Sequence, residues 1–129
     1  MSFETFKFIA EINKAISEVG YKKPTEIQEK SIPQIIKKKD ILASAQTGTG
    51  KTAAFVLPIL ELLIKDKNRV KGPRVLIVSP TRELASQITD SIKKYAQYIQ
   101  INSVTVTGGI SYTLQNKLLS KPIDILSVR

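Results

Sequence analysis

The chain has 129 residues, 42% apolar and 24% charged, which suits one globular domain of ordinary size and argues against disorder. It has no cysteine and no histidine, so disulfides and the usual zinc sites are excluded. No apolar run approaches the roughly 18 residues that span a membrane, and Met1-Ser2-Phe3-Glu4 lacks the order of a signal peptide; a cytoplasmic protein with no membrane partner is expected. The net charge of +9 is uneven, with ten Lys/Arg against seven Asp/Glu in residues 1–65 and ten against four in residues 66–129, a surplus that suits either a polyanion partner or a lysine-rich solvated surface.

From Glu4 to Val19, Phe8, Ile9, Ile12, Ala15, Ile16 and Val19 recur at helical spacing, and Gly20 stops the pattern. Pro24 fits the first position of a second helix through Ile27, Ile32, Ile35 and Ile36. Pro33 is expected to break or kink it, because proline removes an amide donor. Lys37-Lys38-Lys39 ends it at the surface.

Next comes a short apolar run around Ile41-Leu42, read as a first strand, and then Ala45-Gln46-Thr47-Gly48-Thr49-Gly50-Lys51-Thr52. This is a phosphate-binding loop. Gly48 and Gly50 allow a tight turn and close approach of backbone to phosphate, and the loop amides form an anion nest. Lys51 can reach terminal phosphates, and the Thr52 hydroxyl can bind Mg. The strict pattern starts with Gly, where this chain has Ala45. A helical run from Thr52 to Ile64 follows, as the motif requires.

Lys65 to Pro73 is a polar connection. Val75-Leu76-Ile77-Val78, Val104-Thr105-Val106 and Ile123-Asp124-Ile125-Leu126 look like buried strands. Helical patterns at Glu83–Ile99, with Leu84, Ile88, Ile92 and Tyr95 on one face, and at Ser111–Leu119 lie between them. Four strands alternating with helices imply βαβ units: an α/β fold with a parallel sheet and helices on both faces. Ligands of such sheets bind at the carboxyl ends of the strands.

A phosphate loop alone fits kinases, GTPases, transport ATPases and helicases. Gly20-Tyr21-Lys22-Lys23-Pro24-Thr25-Glu26-Ile27-Gln28 narrows the choice. A glutamine amide can pair with N6 and N7 of adenine, and Tyr21 can stack on a base. Taken singly, Gln28 also reads as a solvated helix residue, and Tyr21 as a packed aromatic.

Together, Gly-Tyr-x-x-Pro-Thr-x-Ile-Gln and Ala-Gln-Thr-Gly-Thr-Gly-Lys-Thr resemble the Q motif and motif I of the DEAD-box RNA helicases. Phe3, 17 residues before Gly20, is similar to that family's isolated upstream aromatic. Pro80-Thr81-Arg82-Glu83-Leu84 resembles motif Ia, and Gly108-Gly109 the GG element. The family uses alanine at the position of Ala45. The resemblance covers Phe3 to about Leu126. It implies an incomplete three-layer RecA-like P-loop domain, divisible into a Q-motif helical region (1–38) and a core (39–129).

It further implies roles. Thr25 and Gln28 would contact adenine, with Tyr21 or Phe3 packing near it. Ala45 through Thr52, including Gln46, Thr47 and Thr49, would hold the phosphates and Mg, with Lys51 and Thr52 as the catalytic pair. Pro80, Thr81, Arg82, Glu83, Gly108 and Gly109 would touch an RNA backbone. Physics allows this, since Arg82 can fork two hydrogen bonds to a phosphate. Pro80 to Glu83 also reads as a helix start, with Ser79 or Thr81 as N-cap, and Gly108-Gly109 as a turn.

Hydrolysis needs a strand-borne Asp and a water-orienting carboxylate. No apolar run here ends in adjacent acids, and the family's Asp-Glu-Ala-Asp motif and second domain would follow Arg129. The end Ser127-Val128-Arg129 also departs from the family's Thr-Pro-Gly-Arg element. The expectation is an ATP- and RNA-binding fragment of a helicase, without appreciable ATP hydrolysis on its own. Its unpaired sheet edge would invite self-association. The competing readings are a non-catalytic nucleotide- or RNA-binding module and a small phosphate-loop kinase; the kinase leaves Gln28 and Pro80 to Leu84 unexplained.

Overall fold

The computed structural model describes residues 2–66, 73–106, 113, 116–117, 120 and 122–128. A 3-10 turn, Phe3–Phe6, precedes helices α1 (Ala10–Val19), α2 (Glu26–Ile36) and α3 (Lys51–Lys65). Strand β1 (Val75–Val78), helix α4 (Arg82–Tyr95), and strands β2 (Ser103–Val106) and β3 (Ile125–Val128) follow. The strands form a parallel sheet in the order β1-β3-β2, with Val75 and Ser103 both opposite Ile125.

Alternation along the strands sorts their side chains between two faces. Val75, Ile77 and Ile125 turn toward α3 and α4 and join the core with Leu57, Leu60, Ile88 and Ile92. Leu57, Leu60 and Ile92 are fully buried, each contributing about 1.5–3 kcal/mol from burial alone. On the other face Leu76 and Val78 are 61% and 69% exposed. The helix expected over Ser111–Leu119 falls largely outside the described residues.

The first expected helix is two elements. The chain leaves its 3-10 turn at Lys7, with φ 58°, and only then enters α1. This break lets Phe3 and Phe8 both reach the interior, each 5% exposed. A capping side chain on α1 is replaced from across the fold: the Ile9 amide donates to the buried Glu61 carboxylate on α3 at 3.1 Å. Pro24 is not the first residue of α2, which begins after the N-cap Thr25. Pro33 does not break α2 but stands within its last turn, where the missing amide costs one hydrogen bond close to the natural end. The lysine run does end the helix, with Lys38 in the left-handed region at φ 61°.

Ile41-Leu42 is not a strand. The segment has no regular structure, and Leu42 is fully exposed. A strand exists only when a neighbour takes its amides and carbonyls, and among the described residues none lies beside 40–45. The last strand starts two residues later than its apolar run. Asp124, just before it, accepts from Arg74 Nε at 3.1 Å and Nη2 at 2.6 Å, and from the Asn102 amide at 2.9 Å. Arg74 also donates to the Asp66 carbonyl at 2.9 Å, so this buried pair ties the start of the sheet to the end of α3. Among the described residues no helix is long and apolar enough to cross a membrane.

Candidate functional site

The phosphate loop is built by left-handed backbone at two points. Gly48 and Gly50 both have φ near 84°, a conformation that strains any residue with a Cβ. Gly50 is the N-cap of α3 in this conformation, so the free amides of the first turn, at Lys51 and beyond, open toward the loop. Thr49 donates its hydroxyl to the Gln46 carbonyl and closes the loop on itself. Lys51 is exposed and Thr52 half-buried. A helix N-terminus behind exposed loop amides, with an ammonium beside it, is an anion site.

The residues expected to contact the base are attached to this loop. Gln28 is 1% exposed. Its Oε1 accepts from the Thr25 amide at 2.9 Å, one arm of a capping box, and its Nε2 donates to the Gly50 carbonyl at 3.1 Å. The Thr25 hydroxyl faces the Gln28 amide but is a buried oxygen without a partner of full hydrogen-bond geometry. Gly50 has to be glycine twice over: beyond its positive φ, a Cβ there would stand 2.3 Å from Gln28 Nε2. The spacing Thr-x-x-Gln is itself the signature of a capping box, a signal that sequence reasoning could have used for Thr25 and Gln28.

A cavity of about 420 Å³ lies between the start of α2 and the loop, lined by Thr25, Glu26, Lys30, Ala45, Gln46 and Thr49 among others. Glu26 and Lys30 form an ion pair at its rim, 2.7 Å long, and each holds the other in its charged form: the Glu26 carboxyl is lowered and the Lys30 ammonium raised from their usual values. Tyr21, 41% exposed, stands in a row of rings between Phe3 at 6.2 Å and Tyr95 at 6.5 Å. Phe3 is buried rather than open to a ligand.

The segment Pro80 to Glu83 is exposed throughout. Thr81 is the N-cap of α4, its hydroxyl accepting from the Leu84 amide at 3.1 Å. Arg82 and Glu83 occupy the first helical turn. A second cavity, about 480 Å³, is lined both by Lys51 and Thr52 and by Val78, Ser79 and Leu84, so the end of the loop and the residues flanking Pro80 to Glu83 share a cavity at the carboxyl end of β1. Gly108 and Gly109 lie outside the described residues. Tyr95 is the member of this neighbourhood that the sequence did not single out as a site residue, because periodicity marks it only as core.

The DEAD/DEAH box helicase family model matches residues 25–128. The chain belongs to the DEAD/DEAH box helicase family. It is 46% identical over 125 residues to the ATP-dependent RNA helicase SrmB of Haemophilus influenzae, covering 96% of this chain and 28% of that protein. It is 43% identical to the probable ATP-dependent RNA helicase ddx27 of Dictyostelium discoideum, covering 97% of this chain and 16% of that protein. In structure it matches a DEAD box protein from Methanococcus jannaschii with a TM-score of 0.87 and 35% identity, over 99% of this chain and 34% of that one. The fold is thus part of a RecA-like helicase domain, and the chain spans about a third or less of each of these relatives.

Proposed function

We propose that this DEAD-box chain binds ATP with Mg and the sugar-phosphate backbone of RNA, as part of the nucleotide-binding domain of an ATP-dependent RNA helicase. The observation that carries this reading is the Gln28–Gly50 hydrogen bond, which makes the base-reading segment and the phosphate loop one construction. Gln28 has spent one donor and one acceptor position on the protein. One of each is left, the pair that N7 and N6 of adenine require. The Thr25 hydroxyl, facing the Gln28 backbone amide without full hydrogen-bond geometry and lining the adjoining cavity, fits a further contact to the base.

The amides of Thr47 to Thr52 would hold the phosphates, with Lys51 at the terminal ones. Thr52 fits as the one protein ligand of a phosphate-bound Mg, which would neutralise charge developing on the phosphates. Arg82, with the exposed α4 N-terminus beside it, suits an RNA phosphate. The buried carboxylates of the described residues are otherwise engaged: Asp124 by Arg74, Glu61 by the Ile9 amide. That favours binding without hydrolysis by this chain, and leaves hydrolysis and unwinding to the longer parent protein.

Phosphate release from ATP by the pure chain, with and without RNA, tests the division of labour. Background rates are expected; robust RNA-stimulated release would overturn it. RNA affinity should fall steeply with salt, and Arg82→Ala should weaken it. Salt-independent binding untouched by Arg82→Ala would remove the RNA role of this segment.

A further inference from the structure

We propose that Tyr95 is a positioning residue for nucleotide-base recognition, acting through Tyr21. The inference rests on the ATP reading above and adds a residue from outside its motifs.

Tyr95 ends α4, a helix anchored in the core by Ala85, Ile88 and Ile92, and is itself 4% exposed. It is thus a fixed point. Its ring lies nearly parallel to that of Tyr21, 22° between planes and 6.5 Å between centres. Phe3 packs against the same Tyr21 ring, tilted by 33°. Tyr21 itself sits in a stretch without regular structure, Tyr21 to Thr25, held at its far end by the buried Pro24 and the Thr25 amide bond to Gln28. That stretch leads straight into the Thr25–Gln28 capping box, and from there the Gln28 amide reaches Gly50. A path therefore runs from the end of α4 to the phosphate loop: the Tyr95–Tyr21 ring contact, the short backbone from Tyr21 to Thr25, and the Thr25–Gln28 and Gln28–Gly50 hydrogen bonds. The Tyr95 phenol is pushed above its usual range, first by burial and then by the neighbouring Tyr21 hydroxyl, in keeping with its enclosed position against that ring.

Without the Tyr95 ring, Tyr21 loses one of the two rings that hold it, leaving only Phe3. The phosphate loop keeps its own Gln28–Gly50 and Thr49–Gln46 hydrogen bonds, so phosphate binding should change less than base selectivity. The expected signature is a loss of base selectivity with phosphate affinity retained, which general loosening of the fold would not produce.

The test is competition of ATP, GTP and tripolyphosphate against a fluorescent ATP analogue, on the 129-residue chain and two variants. Tyr95→Leu keeps apolar volume and removes the ring; Tyr95→Phe keeps the ring and removes the hydroxyl. Tyr95→Leu is expected to reduce the ATP-over-GTP preference at least threefold, with tripolyphosphate affinity unchanged within twofold, while Tyr95→Phe restores most of the preference. If Tyr95→Leu fails to fold, Tyr95→Met fills the same space without an aromatic ring and carries the same expectation. A wild-type preference that survives in folded Tyr95→Leu or Tyr95→Met overturns the role of Tyr95 alone. A wild-type chain that binds tripolyphosphate yet shows no preference between ATP and GTP overturns the base-site reading, and this inference with it.

Discussion

The side-chain amide of Gln28 lies 3.1 Å from the Gly50 carbonyl, and the same Gly50 has no room for a Cβ on that side. One contact therefore fixes three things: the entry to α2, the N-cap of α3, and the gap between them that a nucleotide would use. Gly50→Ala must adopt φ near 84° with a methyl group, at about 1–2 kcal/mol, and must also displace the Gln28 amide. Gln28→Ala leaves the Thr25 amide and Gly50 carbonyl without their partner, at about 1–3 kcal/mol. The two costs share one contact, so the double variant should be less destabilised than their sum. Urea denaturation of all four proteins checks this, and strict additivity would show that the contact does not couple the two elements.

The Arg74–Asp124 pair holds the opposite end of the sheet. Its side chains are 10% and 5% exposed, so removing either leaves a buried charge behind. Asp124→Ala is expected to cost about 3–5 kcal/mol, and Arg74→Leu with Asp124→Leu together distinctly less than the two separately. Stability by denaturant midpoint reads the difference. An Asp124→Ala variant as stable as the parent would mean that the pair is not closed in solution.

Tyr95 sets an alkaline limit on the fold. Its folded-state phenol lies above the ordinary value of about 10, through burial and then the Tyr21 hydroxyl. A raised folded value gives stability that is complete below pH 10 and is lost as pH climbs toward the folded value, because unfolding then releases a proton. Tyr95→Phe should therefore flatten the fall in stability above pH 10. Phenolate absorbance should show one of the four tyrosines ionising only as the chain unfolds. Four reversible titrations without unfolding would contradict the buried placement.

The outer edge of β1 is unpaired among the described residues, and Leu76 and Val78 beside it are 61% and 69% exposed. No charge or proline interrupts Val75 to Val78, so nothing in the strand guards the edge. The chain should associate as its concentration rises. Added salt should promote this by screening the net charge of +9. Leu76→Lys with Val78→Lys should keep it monomeric. Sedimentation velocity distinguishes the cases, and association unchanged by both lysines would place the contact elsewhere.

What the sequence made legible was local. The loop at Ala45 to Thr52 is written in its glycines, and α4 in the spacing of Ile88, Ile92 and Tyr95, because turn chemistry and helical periodicity depend only on near neighbours. Thr81 as N-cap was readable for the same reason. The lack of a strand at Ile41-Leu42 was not, since an apolar run is only half of a strand and the other half is a partner. The break at Lys7 answers to the burial of Phe8, and the entry of α1 to a carboxylate on α3 far along the chain. Asp124 looked like an acid stranded in an apolar run, and only the fold brings Arg74 to it. At the site, the sequence marked Gln28 as a candidate base contact but not as a link to Gly50, because its second bond crosses to another helix.

The central claim is that the loop and the Gln28 segment form a single adenine-nucleotide site. Isothermal titration of the wild-type chain and Gln28→Ala with ATP and with GTP, in the presence of Mg, tests it most directly. Tighter binding of ATP than of GTP by the wild type, with the difference lost in a folded Gln28→Ala, is the expected result. Equal affinity of the wild-type chain for the two nucleotides would contradict it.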